Sequence, residues 1–398
     1  MITPAVRARV ENLGTHELPC YLYDTSGLRD HVAAVRAALP RRVELYYAAK
    51  ANPAPEILAA LAGLVDGCEV SSGGELAHVR RRLPGTALAF GGPGKTEAEL
   101  ADALRLGVAR FHVESRHELH LLAALAARVA PGRDVDVLLR VNLPLGPGVL
   151  RGAALAMGGD PSPFGLDPDG VESCLDVFAG PDAGRLRVRG IHAHLASGLD
   201  AETQVDVGAR IVAWTRALAN RRRVELREVN IGGGMAVDYA NPTERFDWRA
   251  FGAGLARILA DDPALVLRIE PGRALTAYCG WYATEVLDVK HSHGEAFAVL
   301  RGGTHHLRTP AAKQHDQPFT VVPTATAWPH PWPRPELHEA PVTLTGQLCT
   351  PKDVFARRKP VHVLRAGDRI AFAMAGAYAW NISHHDFLMH PHPTFRQV

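Results

Sequence analysis

Between Val43 and Glu270, short runs rich in β-branched and aromatic residues alternate with longer amphipathic ones. That alternation restricts the chain to a parallel sheet covered by helices. The short runs fall at 43–49, 67–71, 87–91, 109–114, 135–142, 188–195, 227–231 and 265–270, and eight is the number that closes a (β/α)8 TIM barrel. The intervening helices carry their own start signals. Thr96 stands three residues before Glu99, and Ser115 three before Glu118, both capping-box spacings. After Pro271 the alternation stops. Strand-like runs at 278–289, 296–300, 342–348 and 369–373, broken by Trp328-Pro329-His330-Pro331-Trp332-Pro333, predict a second, β-rich domain. The expected division is a barrel over 25–275, with 1–24 and 276–398 forming the β-rich domain, which the run Leu18–Asp24 joins as an extra strand.

Composition narrows the function classes. The chain has 398 residues, 47% hydrophobic and 22% charged, with a formal charge of +2. A near-neutral chain lacks the clustered positive face that phosphate-backbone recognition needs, so no nucleic-acid partner is expected. No run of about eighteen apolar residues predicts a membrane span, and Met1–Arg7 has no charged-then-apolar signal pattern. The five cysteines, 20, 68, 174, 279 and 349, are odd in number and show no CxxC spacing. They predict neither a disulfide framework nor a zinc site, and a reducing cytoplasm fits them.

In such a barrel, function collects at the C-terminal strand ends. Those ends deliver Lys50, Glu69 with Ser71 and Ser72, Glu114, Arg140, His194 with Ser197, Gly232-Gly233-Gly234, and Glu270 with Arg273. Lysine occurs only six times among 44 basic side chains, yet one ends the first strand. An amine can form a Schiff base with a carbonyl cofactor and a guanidinium cannot. Taken alone, Lys50 is equally readable as a strand-end lysine reaching into solvent. Three glycines after a strand expose N–H groups that a phosphate can approach, and Ser197 and Arg273 could add donors. Glu270 could keep a pyridine nitrogen protonated, and His194 could stack on a flat ring. The rim therefore suits pyridoxal phosphate.

In this order along the chain, these residues resemble the fold-type III pyridoxal-phosphate decarboxylases, the ornithine and diaminopimelate decarboxylase family, whose barrel is also that of the alanine racemases. Tyr47-Ala48-Ala49-Lys50-Ala51-Asn52 resembles the family's cofactor-lysine motif. His194-Leu195-Ala196-Ser197 resembles its ring-stacking histidine and phosphate-side serine, and Asn230-Ile231-Gly232-Gly233-Gly234 its phosphate loop. Glu270-Pro271-Gly272-Arg273 resembles its pyridine-partner signature, and Gly376-Ala377-Tyr378 carries a tyrosine near the phosphate. Gly346-Gln347-Leu348-Cys349 resembles the segment whose cysteine enters the partner subunit's site. The resemblance implies a homodimer with shared sites, in which Lys50 binds the cofactor and Cys349 reprotonates the α-carbon. Glu69 and Arg140 are carried along as cofactor-side residues.

Two departures bear on substrate. Where relatives that recognise a distal amine have an acid directly after the cysteine, Thr350 stands here, followed by Pro351-Lys352-Asp353. Pro163 precedes Phe164-Gly165 where diaminopimelate decarboxylases have lysine. With the tail Trp380–Phe387, these features resemble the branch that decarboxylates citryl-L-2,3-diaminopropionate in carboxylate siderophore assembly. Thr350, Lys352, Asp353, His385 and Arg151 are then candidate substrate contacts. A diaminopimelate, ornithine or lysine decarboxylase is the alternative, and an inactive partner-binding relative a remoter one. Glu270 disfavours a racemase, which has arginine at that place. The Gly/Pro-rich loop 143–170 is long enough to act at the site. No metal is expected, because the histidines at 291, 293, 305, 306, 384, 385, 390 and 392 fall on loops that read as solvated.

Overall fold

The computed structural model describes residues 2–146, 149 and 155–398; Arg151 lies outside the described residues. The chain forms two compact units. One comprises Arg29–Ala236 and Phe246–Leu275, the other Met1–Leu28, Val237–Arg245 and Thr276–Val398. The second unit thus takes in 237–245, which the pattern of the sequence does not separate from the barrel.

The first unit is the expected barrel. Its strands are β1 (Val43–Ala48), β2 (Gly67–Val70), β3 (Ala87–Phe90), β4 (Arg110–Val113), β5 (Val135–Arg140), β6 (Leu186–His192), β7 (Glu228–Asn230) and β8 (Val266–Ile269). Neighbours pair in parallel in chain order, and β8 closes on β1 through Leu267 opposite Val43. Helices cover the outside, and their starts are built as the spacing predicts. Thr96 Oγ1 accepts from the Glu99 N–H at 3.3 Å, and Glu99 Oε2 accepts from the Thr96 N–H at 3.0 Å. Ser115 caps Glu118 at 3.0 Å, but Glu118 turns its carboxylate to the Glu114 N–H and to Lys95.

Because side chains alternate along a strand, every second residue faces the lumen. Near the strand starts this inward set is ionic. Arg110 Nη2 meets Glu228 Oε1 at 2.6 Å and Arg110 Nη1 meets Asp136 Oδ2 at 2.9 Å, while Arg268 joins Glu44 and Glu228. Strands β4 and β7 are not neighbours, so the contact between Arg110 and Glu228 spans the interior. Burial opposes ionisation of Glu228, but Arg110 and then Arg268 outweigh it and hold its carboxyl below the usual range. These charges pair with one another and close the floor of the barrel. The polar groups at the other end are left to face a ligand.

The second unit is an eight-stranded sheet. Its main path runs Phe319–Val322, Arg369–Phe372, Gly280–Ser292, Glu295–Leu300, Glu336–Thr345 and Val354–Arg365. Cys20–Tyr23 pairs antiparallel with 280–283 and parallel with Thr394–Gln397. Tyr21, Tyr282, Phe355 and Phe372 are fully buried in its core. No helix among the described residues is long and apolar enough to cross a membrane.

Candidate active site

Lys50 follows β1 in a single 3-10 turn, Ala49–Ala51, which swings its side chain over the barrel mouth. Its Nζ donates to Glu69 Oε2 at 2.6 Å and lies 3.5 Å from Ser71 Oγ, which itself donates to Glu69 Oε1 at 2.8 Å. The Lys50 side chain is 43% exposed and that of Glu69 only 5%. The amine is turned toward Glu69 and Ser71 at the rim and remains reachable from outside.

Glu270 follows β8 and is buried. Its Oε1 accepts from Asn230 Nδ2 at 2.6 Å, and its Oε2 lies 3.3 Å from His192 Nε2. His192 stacks on His112, with ring centroids 4.1 Å apart and planes 10° from parallel. Burial drives both imidazoles well below their ordinary value, so Glu270 faces neutral rings. Neither ring nitrogen of His192 has a hydrogen-bond partner among the described residues. These three side chains, His112, His192 and Glu270, also lie close enough together to be metal ligands. Within this group the carboxylate is already held by the Asn230 amide.

The glycine loop is shaped by close approach. Gly232 and Gly234 have φ of +71° and +100°, where a side chain is strained. A Cβ on Gly233 would stand 2.4 Å from the Glu270 carbonyl oxygen, and one on Gly234 2.2 Å from that of Ala196. The Gly233 N–H donates to His194 Nδ1 at 3.1 Å, and Gln204 Nε2 donates to the Gly233 carbonyl at 2.9 Å. His194, partly exposed, is pushed down to about 3 by desolvation and then by the positive charges of Lys50 and Arg140. Ser197 is half-buried beside this loop, where the Gly198 N–H donates to the Gly234 carbonyl at 2.7 Å. Arg273 opens the short helix Arg273–Thr276.

Arg140 ends β5 and is paired with Glu114 at 2.8 Å, both buried. Glu114 also accepts from the N–H groups of Gly92 and Gly165, so one carboxylate ties three rim loops together. The described part of loop 143–170 is fastened to the rim. Leu155–Ala156 pairs with Ala196–Ser197, the Leu166 N–H donates to the Arg140 carbonyl, and the Asn142 N–H donates to the Leu166 carbonyl.

The rim thus brings Lys50, Glu69, Arg140, His194, Ser197, Gly232, Gly233, Gly234, Glu270 and Arg273 to one barrel end. The residues fit pyridoxal phosphate: a reachable amine, a low-lying imidazole, a buried carboxylate, and a cradle that a single Cβ would fill. The layer beneath holds His112 and His192, which the strand ends do not include, and Asn230, which stands in the phosphate-loop motif but not among the expected cofactor contacts. Its signal was present, since each lies two residues before a rim residue and so faces the same way.

The remaining candidates lie in the β-rich unit. Cys349 is exposed, and Thr350 and Tyr378 are partly exposed. Tyr378 has φ of +49° and its carbonyl accepts from Thr309 Oγ1. Lys352 is exposed. Asp353 is 2% exposed and turned inward, accepting from the N–H groups of Thr304 at 2.6 Å and Leu348 at 2.8 Å. As a free substrate contact it is corrected: its carboxylate braces the Cys349 loop. His385 stacks on Trp380, with centroids 3.6 Å apart, and its Nε2 meets the Trp380 carbonyl. The expectation of solvated histidines also fails for His305 and His306, which are fully buried.

Comparison with known proteins places the rim in context. Residues 25–277 match the family described as pyridoxal-dependent decarboxylase, pyridoxal binding domain. The chain is 39% identical over 385 residues to the 2-[(L-alanin-3-ylcarbamoyl)methyl]-2-hydroxybutanedioate decarboxylase of Staphylococcus aureus, covering 96% of this chain and 94% of that protein. It is 29% identical over 382 residues to the diaminopimelate decarboxylase of Bacteroides thetaiotaomicron, covering 93% and 92%. Among solved structures, the diaminopimelate decarboxylase of Helicobacter pylori complexed with L-lysine superposes with a TM-score of 0.83 at 23% identity, over 96% of this chain and 92% of that one. At that identity the likeness concerns the fold.

Proposed function

The chain belongs to the pyridoxal-dependent decarboxylases, and from that premise we propose that its substrate is an amino acid carrying citrate on its side chain, the citryl amide of L-2,3-diaminopropionate. That places it in carboxylate siderophore assembly. Pyridoxal phosphate, when bound, supplies an electron-withdrawing ring that takes up the electron pair left as carbon dioxide departs.

The chain's own groups then divide the work. Lys50 is the amine that would hold the cofactor's aldehyde carbon, with Glu69 and Ser71 fixing its direction. Glu270 offers an oxygen to the pyridine nitrogen and His194 a face to the ring. Gly232–Gly234, Ser197, Arg273 and, by the family resemblance, Tyr378 suit the phosphate. Cys349 is the group that returns a proton to the α-carbon.

The observation that carries the substrate reading is the commitment of Asp353. No acid follows Cys349 directly, and the first carboxylate after it is bound to two backbone N–H groups. A substrate with a distal ammonium would meet no free carboxylate in that loop, and leaving such a charge unpaired is costly. A substrate ending in carboxylates meets no such penalty. The staphylococcal relative is a decarboxylase of such a citrate-bearing amino acid.

A homodimer accounts for two further features. Cys349, the proton donor of this reading, is exposed. Ile382, Phe387, Leu388 and Met389 expose apolar surface in one short segment, with Met389 89% exposed, as at a surface that a second copy covers. Five cysteines, all free, fit a cytoplasmic setting.

The test is carbon dioxide release from citryl-L-2,3-diaminopropionate, meso-diaminopimelate, L-lysine and L-ornithine. Release confined to the citryl conjugate is expected. Release from meso-diaminopimelate instead returns the chain to primary metabolism.

A further inference from the structure

In the β-rich unit, His305 is fully buried and neither of its ring nitrogens has a hydrogen-bond partner among the described residues. Buried polar groups of this kind ordinarily have a partner, so one left over points to something the site receives. The ring lies 3.8 Å from that of His306, 5.5 Å from that of His390 and 6.5 Å from that of His384. His390 is half-buried and His384 exposed, so the rings gathered around His305 reach from the interior to the surface. The cluster adjoins the Cys349 loop: Gln347 donates through Nε2 to His390 at 2.6 Å, and its Oε1 accepts from the Gly302 N–H at 2.9 Å.

We propose that His305, His384 and His390, with Arg308 beside the exposed end, form a subsite for a multiply charged carboxylate group. The inference deepens the proposed function and rests on it, since it assigns the distal end of the substrate to these side chains.

Three observations favour an anion over a metal cation. The one carboxylate acting on His384 is Asp353, and both its oxygens are used by backbone N–H groups. The Arg308 guanidinium acts on His384 with the charge that repels a cation. Among the described residues, the ring nitrogens of these histidines do not converge as those of His112 and His192 do with Glu270. Burial first, then the neighbouring His390, His384, His392 and His385, push His305 down to about 4, and burial with His305 pushes His306 down to about 2. His305 and His306 are therefore neutral near neutral pH. A carboxylate arriving among the rings favours their protonated form, so binding takes up protons.

The experiment is calorimetric titration of the cofactor-loaded protein with citrate, free of divalent metal, in two buffers of different ionisation enthalpy. Expected results are net proton uptake and an affinity that falls about tenfold per pH unit for each proton taken up. His384→Ala and His390→Ala, at accessible positions, are each expected to weaken citrate about tenfold and to raise KM for the citryl conjugate with kcat little changed. His305→Asn is the deeper variant, read only where its circular dichroism is native. Citrate affinity that is absent, or that both accessible variants leave at the value of the unsubstituted protein, overturns the subsite, as does zinc binding that displaces citrate. If the citryl conjugate is decarboxylated while citrate is ignored, the subsite fails and the proposed function stands. If meso-diaminopimelate alone is turned over, the proposed function fails first.

Discussion

Asn230 joins Glu270 to the glycine loop: its Nδ2 donates to Glu270 Oε1 at 2.6 Å while its Oδ1 accepts from the Gly232 N–H at 2.9 Å. An amide can serve a carboxylate and an N–H at once in one orientation only, so this residue fixes both cofactor contacts together. Asn230→Ala leaves a buried carboxylate oxygen and a buried N–H unpartnered, at a cost of about 1–3 kcal/mol. Cofactor affinity is expected to fall by about 5- to 150-fold, measured by equilibrium dialysis of pyridoxal phosphate. Unchanged affinity would remove Asn230 from this role.

Lys50 and Glu69 yield a separable pair of outcomes. Lys50→Ala removes the rim amine paired with Glu69, and both the visible absorbance of lysine-bound cofactor and carbon dioxide release are expected to vanish. Glu69→Gln keeps the shape but gives up a hydrogen bond between charged groups, worth about 1.5–3 kcal/mol. The absorbance should then persist while turnover falls. A variant at Lys50 that still holds lysine-like absorbance would move the anchor elsewhere.

The barrel was legible because the eight strands and their helices differ in period, and even the Thr96–Glu99 cap follows from spacing. The rim was legible for a related reason: strand ends are marked by the polar residue that interrupts an apolar run. His112 and Asn230 were not, because a polar residue inside a run reads as part of the strand until the lumen is known to exist. The β-rich unit was harder. Asp353 and His305 take their roles from backbone N–H groups and rings brought from distant loops, and no local pattern announces such partners.

Buried histidines make stability sensitive to acid. His194, His305 and His306 sit at about 3, about 4 and about 2, and His112 and His192 are shifted the same way by burial. In the unfolded chain each titrates near 6.5. Above that value neither state is protonated and the groups contribute no pH dependence. Below it the unfolded chain takes up protons that the native state refuses, so stability falls until the native values are reached. The slope is up to about 1.4 kcal/mol per pH unit per histidine. Urea unfolding of the protein between about pH 7 and about pH 5 should show this loss, and His305→Asn should flatten it. A midpoint constant across that range would mean the rings protonate in place.

Cys349 differs from the other four cysteines in a way that chemistry can read. Burial pushes the Cys68 and Cys279 thiols up to about 12 and that of Cys174 to about 11, and it raises that of Cys20 as well. All four are buried, whereas Cys349 is exposed. A thiolate reagent should therefore label Cys349 alone in the native protein, one adduct per chain by mass spectrometry. If the thiol returns the proton to the α-carbon, Cys349→Ser should lower kcat by about 100-fold or more. Its circular dichroism should stay native, because an exposed side chain is being exchanged for one nearly its size. If the thiol acts in the site of a second copy, the reaction product should also protect it from labelling. Full turnover in Cys349→Ser would leave the proton to another donor, and labelling unaffected by product would place the thiol outside the site.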